Sequence, residues 1–276
     1  MAARFPIAIV GPGALGLYFS RNLSAVVPTA LIARSAARAR SLRAGVRVGA
    51  KTYRPQAFGP GNLPRADWVI VLVKAHETAA AVRVAARMRP TAIVSLQNGL
   101  IEAVPQGVTT AAAYREGRRI VPVAPGETLL PEGFEALARE LRRAGLPART
   151  SRRIEAARYR KLLANVCINP LTAIFAVRNG ALQERPYSLF VEQLAREAAP
   201  VLSAEGLRIS PRQAIRRVMA VAAATAGNRS SMLQDVLAGR RTEIDQLNGA
   251  LLRIARRHGI SVPLHEAVCH MIRVMQ

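Results

Sequence analysis

Residues 7–20 read Ile-Ala-Ile-Val-Gly-Pro-Gly-Ala-Leu-Gly-Leu-Tyr-Phe-Ser, and the rest of the chain is read outward from them. The apolar run Ile7 to Val10 predicts a short buried strand. A turn with three glycines follows, then a helix predicted to reach about Val26, with Pro28 closing it. Gly11, Gly13 and Gly16 have the spacing G-x-G-x-x-G. Between a strand and a helix that spacing has a physical meaning. The first glycine makes a tight turn, the second lets the backbone approach a pyrophosphate, and the third lets the helix pack on the strand. N–H groups at the helix start then bind phosphate oxygens. Gly11, Pro12, Gly13, Ala14, Leu15 and Gly16 are therefore candidate dinucleotide contacts.

Further along, Thr29–Ala33, Trp68–Val73 and Thr91–Leu96 are strand candidates, apolar enough to be covered on both faces. A helix is predicted over about His76–Met88. Strands alternating with helices predict a doubly wound, Rossmann-type α/β sheet. Shorter strands are expected at Thr109–Ala113, Arg119–Ala124 and Glu127–Leu130, and a helix at Glu132–Ala144 stopped by Gly145. This texture places a sheet domain at residues 1–150. Residues 151–276 read as an all-helical domain, with helices at 154–168, 187–206, 211–226, 242–258 and 263–274. Asn169-Pro170 is expected to interrupt the first of these, because proline disfavours the α conformation in the residue before it.

The position after the second strand distinguishes dinucleotides. An acidic residue there, about 20 residues on, would bind the ribose 2′-hydroxyl of NAD. Here the position holds Arg34, and no Asp or Glu precedes Asp67. A guanidinium attracts a 2′-phosphate that a carboxylate would repel. NADP, as NADPH, is the expected cofactor.

Composition narrows the class further. The formal net charge is +23, from 40 Lys+Arg against 17 Asp+Glu. Such a balance raises nucleic acid as a partner, but aromatics are only 4% and the basic residues are scattered. No helix-turn-helix, zinc or aromatic platform accompanies the charge, so no specific nucleic-acid partner is expected. No apolar run approaches the roughly 20 residues of a membrane span. Cys167 and Cys269 form neither a metal spacing nor a disulfide framework, which points to a cytoplasmic protein. His76, His258, His265 and His270 fall outside the motifs, so neither a catalytic histidine nor a metal is expected.

Only three of the basic residues are lysines: Lys51, Lys74 and Lys161. Arginine is effectively always protonated, whereas a lysine ammonium can release a proton. The lysines are thus candidates for positions where a guanidinium will not serve. Lys74 ends one buried strand, in Val73-Lys74-Ala75, and Gln97-Asn98-Gly99 ends the next. In doubly wound sheets the ligand edge lies beyond the carboxyl ends of the strands. Lys161 and Asn165 are four apart on one helix face. Asn165 and Asn169 are amides inside an otherwise apolar segment, and a buried amide must be hydrogen-bonded. Glu243 sits near the start of a clear amphipathic helix, where it would also suit the helix dipole.

GPGALG (11–16), VLVKA (71–75), QNG (97–99), KLLANVCINPLTAIF (161–175), SSMLQD (230–235) and RRTEIDQLNGALLRIARRHGISVP (240–263) occur in this order across nearly the whole chain. Together they resemble the ketopantoate reductase (2-dehydropantoate 2-reductase) family. The resemblance implies NADPH-dependent reduction of 2-dehydropantoate to pantoate, on the route to pantothenate and coenzyme A. It implies that Lys161 donates a proton to the ketone oxygen and that Glu243 is its partner acid, hydrogen-bonding the substrate hydroxyl. It implies that Asn98, Asn165, Asn169, Ser231 and Asn228 hold the substrate, and that Asn98 and Lys74 also lie on the cofactor side. The substrate would be a small anionic 2-keto acid, and the enzyme a monomer or homodimer. The segment between Gly99 and Tyr114 is compressed, and Ala111-Ala112 stands where many members carry a more polar run.

Two alternatives stay open on the same fold: a reductase of a different 2-keto acid, and a non-catalytic dinucleotide-binding regulator. If Arg34 reads the 2′-phosphate, Arg34→Ala raises the Michaelis constant for NADPH far more than that for NADH. An unchanged NADPH preference in that variant rules the assignment out.

Overall fold

The computed structural model describes residues 3–117 and 119–276. The chain divides into two compact units: residues 1–97 with 101–154, and residues 98–100 with 155–276.

The first unit carries every strand found among the described residues. They are β1 (Arg4–Val10), β2 (Thr29–Ile32), β3 (Val46–Val48), β4 (Lys51–Tyr53), β5 (Gln56–Phe58), β6 (Arg65–Val71), β7 (Ala92–Ser95), β8 (Val108–Thr109), β9 (Ala112–Glu116), β10 (Arg119–Ala124), β11 (Thr128–Leu130) and β12 (Ala148–Thr150). Helices α1 (Ala14–Leu23), α2 (Ala36–Ala44), α3 (Thr78–Arg87) and α4 (Glu135–Arg143) accompany them. The main sheet has five parallel strands in the order β5-β2-β1-β6-β7. The chain winds outward from β1 in both directions, so the doubly wound expectation holds. Smaller sheets, β4-β3-β10-β9 and β12-β11-β8, complete the unit.

Period-two alternation along β1 explains why it is central. Ile7 and Ile9 join the core beneath α1 and α4, with Leu17, Phe19, Leu137 and Leu141. Ala8 and Val10 join the opposite core, with Val69, Val71, Ala85 and Met88. Both faces are dry, as a parallel strand requires. The predicted strand over 109–113 is divided between β8 and β9, which belong to different sheets.

The second unit is helical: α5 (Ile154–Phe175), α6 (Tyr187–Ala204), α7 (Pro211–Ala224), α8 (Ser231–Leu237), α9 (Asn248–Arg257) and α10 (Pro263–Val274). Helix α8 lies outside the helices predicted from sequence, and its start is capped by the Ser230 hydroxyl accepting from Leu233 N. Two expectations fail here. Pro170 does not interrupt α5, which runs on to Phe175. Proline supplies no N–H for the carbonyl four residues back. That carbonyl, on Val166, instead accepts from Asn248 Nδ2 at 3.0 Å. Nor does a helix begin at Thr242. Residues 243–247 form turns in which the Glu243 carbonyl accepts from Gln246 N and Leu247 N, and α9 starts at Asn248. Glu243 is therefore a turn residue rather than a partner of a helix dipole.

Among the described residues, no helix is long and apolar enough to cross a membrane. His265 in α10 is fully buried, and its Nε2 lies 3.0 Å from the Leu194 carbonyl. Burial pushes its pKa down from 6.5 to about 4. Folding thus favours the neutral ring. Its contribution is complete above about pH 6.5 and is lost as the pH falls towards about 4, at most about 3 kcal/mol. Denaturant midpoints measured across that window should fall with acid in the wild type. The fall should be shallower in His265→Gln, and an identical slope refutes the assignment.

Candidate active site

In the first unit, three candidates lie at one edge of the main sheet. Val10 is paired with Ile32 on one side and Val71 on the other, so the residues that follow each strand emerge together. Those residues include the glycine turn after β1, the exposed Arg34 after β2, and the half-buried Lys74 after β6. Gln97, after β7, reaches back across this edge. Its Nε2 donates to the Val73 carbonyl at 3.1 Å and to Thr78 Oγ1 at 2.9 Å, and its own carbonyl accepts from Gln106 Nε2 at 3.0 Å. Ser95, Thr78 and Gln106 belong to this network and were not singled out in sequence. Their only signal is that they are polar residues beside buried strands.

The three glycines of the turn differ in what requires them. Gly11 has φ +117, and a Cβ there would meet the Leu72 carbonyl group at 2.7 Å. A Cβ on Gly16 would fall on the carbonyl oxygen of Gly11. Both are needed for internal packing, the second for the close approach of α1 to the turn. Gly13 caps α1 with φ −73, and a Cβ there would meet nothing within 4 Å. Nothing in the chain demands glycine at 13, and its exposed, side-chain-free backbone leaves room for a ligand to approach. The first turn of α1 holds no acidic residue, and its N–H groups have no intrahelical acceptor. The turn thus suits a pyrophosphate.

In the second unit, Lys161, Asn165 and Asn169 recur every fourth residue along α5. Lys161 and Asn165 are half-buried and Asn169 is buried. Burial pushes the Lys161 ammonium down from 10.5 to about 8, and the Glu243 carboxylate pulls in the opposite direction. Glu243 is only 6% exposed, and its Oε2 accepts from Asn98 Nδ2 at 3.2 Å. Asn98 is held by its neighbour. Gly99 has φ +79, and a Cβ there would lie 2.5 Å from the Gln246 carbonyl oxygen. The turn at 98–100 therefore fits against the turn at 243–247 only with glycine at 99. Lys161, Glu243 and Asn98, far apart in sequence, form one cluster.

Ser231 and Asn228 are less closely tied to this cluster. Ser231 is exposed at the first residue of α8. Its neighbour Ser230 lies 2.7 Å, Oγ to Oγ1, from Thr172, which is three residues beyond Asn169. That contact joins the serine pair to the Asn169 end of α5. The Asn228 carbonyl accepts from Asn179 N, closing a loop. Among the described residues no group of three or more His, Cys, Asp or Glu side chains is arranged to hold a metal ion.

A glycine-turn parallel sheet followed by a helical unit with a half-buried amine beside a buried carboxylate defines a class: the two-unit reductases built on a dinucleotide-binding fold. Within that class, the chain belongs to the ketopantoate reductase family. Residues 7–132 match the family described as "Ketopantoate reductase PanE/ApbA", and residues 153–276 match "Ketopantoate reductase PanE/ApbA C terminal". The 2-dehydropantoate 2-reductase of Shigella flexneri is 37% identical over 79% of this chain and 77% of its own length. That of Halobacterium salinarum is 33% identical over 98% of both chains. A solved D-mandelate dehydrogenase with NADH and anilino(oxo)acetate shares the fold, with a TM-score of 0.87, 23% identity and coverage of 98% of this chain and 97% of that one.

The contrast among the glycines is testable. Gly13→Ala should cost about 1 kcal/mol of stability, as loss of a glycine cap does, while weakening dinucleotide binding at least about tenfold. Gly16→Ala should destabilise far more, because the Gly11 backbone must move. Tm by calorimetry and cofactor affinity by fluorescence titration separate the two. Equal losses of both quantities in the two variants contradict this division.

Proposed function

We propose that this chain is an NADPH-dependent 2-dehydropantoate 2-reductase that forms pantoate, with Lys161 as proton donor. The observation that carries this reading is the cluster of Lys161, Glu243 and Asn98, in a chain whose two parts both match the family. Gly11, Pro12, Gly13, Ala14, Leu15 and Gly16 would hold the pyrophosphate, Arg34 the 2′-phosphate, and Lys74 and Asn98 would lie towards the nicotinamide side. When bound, NADPH supplies the hydride that reduces the ketone carbon.

The chain's own residues supply the rest. As the carbonyl is reduced, negative charge grows on its oxygen. An ammonium at that oxygen stabilises the charge and delivers the proton from Nζ. Lys161 suits this role because its pKa of about 8 leaves it protonated at neutral pH yet closer to releasing its proton than an exposed lysine. Arginine would stabilise the charge but would be a poor proton donor. Glu243 keeps the amine charged and accepts from the substrate hydroxyl. Asn98, bonded to Glu243, orients that carboxylate. Asn165, Asn169, Ser231 and Asn228 offer N–H and O–H donors to the substrate carboxylate. The small anionic acid and the phosphates of NADPH both suit a chain of net charge +23. The two cysteines are free and buried, which agrees with a reducing, cytoplasmic setting.

Loss of nicotinamide absorbance, followed with NADPH and a panel of 2-keto acids, tests the reading. 2-Dehydropantoate should have the highest kcat/KM, and a clear preference for another acid overturns the substrate assignment. Lys161→Ala should lower kcat by about 10²–10⁴-fold while NADPH still binds. In the wild type, kcat/KM should fall as the pH rises through about 8, because the protonated amine is the active form. Near-normal turnover in Lys161→Ala, or a rate that keeps rising above that pH, removes the lysine from the mechanism.

A further inference from the structure

The run 240–263 contains Asn248, to which the proposed reaction assigns no part. Asn248 is fully buried in the first turn of α9. One hydrogen of its Nδ2 goes to the Val166 carbonyl that Pro170 leaves without a helical donor. Nδ2 also lies 3.0 Å from His265 Nδ1. A carbonyl only accepts, so the Leu194 contact places the ring proton on Nε2 and leaves Nδ1 as an acceptor. Both amide hydrogens are therefore committed. The amide cannot turn over, since its oxygen would then face the Val166 carbonyl. Among the described residues, Oδ1 has no hydrogen-bond partner. A buried unsatisfied acceptor is unfavourable, so the residue's place here rests on its two donors.

Where those donors act is informative. Val166 follows Asn165 on α5, little more than one turn beyond Lys161. Asn248 directly follows the turn that carries Glu243. The same turn and the residue before it are braced by α10 and the residues that follow α10. Arg273 Nε and NH2 bond Asp245 Oδ1 at 2.9 and 2.7 Å, and Gln276 Oε1 accepts from Thr242 N at 2.8 Å. We propose that Asn248 is a positioning residue, whose amide cross-ties α5 to the start of α9 and so sets the approach of the Lys161 amine to the Glu243 carboxylate. This rests on the reading of Lys161 and Glu243 as the proton-donating pair. Apolar packing around the tie is non-directional and holds the helices together without fixing their register. Hydrogen bonds are directional and fix it.

Pro170 provides the discriminating control. Pro170→Ala restores an N–H that can donate to the Val166 carbonyl within α5, without any link to α9. Asn248→Ala, Pro170→Ala and the double variant should be compared with wild type. Asn248→Ala should lower Tm and reduce kcat at least about tenfold, with little change in KM for NADPH. The double variant should regain Tm but not kcat. If kcat returns together with Tm, or never falls, Asn248 serves only the carbonyl and the proposal fails.

A second readout does not depend on turnover. The chain has only three lysines, so isotope-labelled lysine gives three side-chain NMR signals, with that of Lys161 assigned through Lys161→Arg. Asn248→Ala and the double variant should displace the Lys161 signal and its titration midpoint, leaving Lys51 and Lys74 unmoved. Coincident Lys161 curves overturn the tie. Full turnover by Lys161→Ala instead overturns the catalytic reading, so the two failures are distinct. If Asn248→Ala does not fold, the double variant carries both measurements.

Discussion

An ammonium taken out of water and set near a carboxylate, Lys161 beside Glu243, is the interaction on which the chemistry proposed for the helical unit depends. Burial pulls the Lys161 ammonium towards its neutral form, and the Glu243 carboxylate opposes that by favouring the charged form. The balance leaves a pKa of about 8, a net cost to the charged form of about 3 kcal/mol. That balance is sensitive to distance, because Coulomb energy in a low-dielectric setting changes steeply with separation. The structure around the pair is correspondingly constrained. Asn98 holds the carboxylate, Gly99 permits the approach of that turn, and residues 243–247 are held by their own backbone bonds and by Asp245 and Thr242.

Steric requirement plays the same part in the first unit that electrostatics plays in the second. Gly11 and Gly16 let strand, turn and helix approach closely, and Gly13 leaves exposed backbone where a ligand can approach. The parallel register brings the ends of β1, β2 and β6 to one edge, and the side chain of Gln97 ties the end of β7 to that of β6. A buried polar network of this kind is stable only when its members are satisfied. Gln97 and Gln106 meet that condition with donors and acceptors used across the sheet edge.

Much of this was legible in the chain because it depends on local patterning. Alternating and continuous apolar runs identified β1, β2, β6, β7 and β10, and helical spacing identified α5, α6, α7 and α10, the first of them not to its full length. The glycine spacing located the turn. The shortage of lysine drew notice to Lys74 and Lys161. Glu243, Asn228 and Ser231 received their roles from family resemblance, since nothing local separates Glu243 from a carboxylate at a helix start. The structure assigns Glu243 to a turn and gives it a partner that lies far away in sequence.

What the sequence by itself determined, then, was the order and type of most elements, the glycine turn and the identity of the candidate amine. These follow from short-range sterics and from the repeat of apolar side chains, which neighbouring residues settle among themselves. Tertiary structure alone decided that α5 continues through Pro170, that Asn98 meets Glu243, and that Asn248 spans Val166 and His265. Each of these is a hydrogen bond between groups distant in sequence. A proline's effect on a helix depends on whether some distant donor reaches the carbonyl it leaves unpaired, and only the folded chain brings that donor into place.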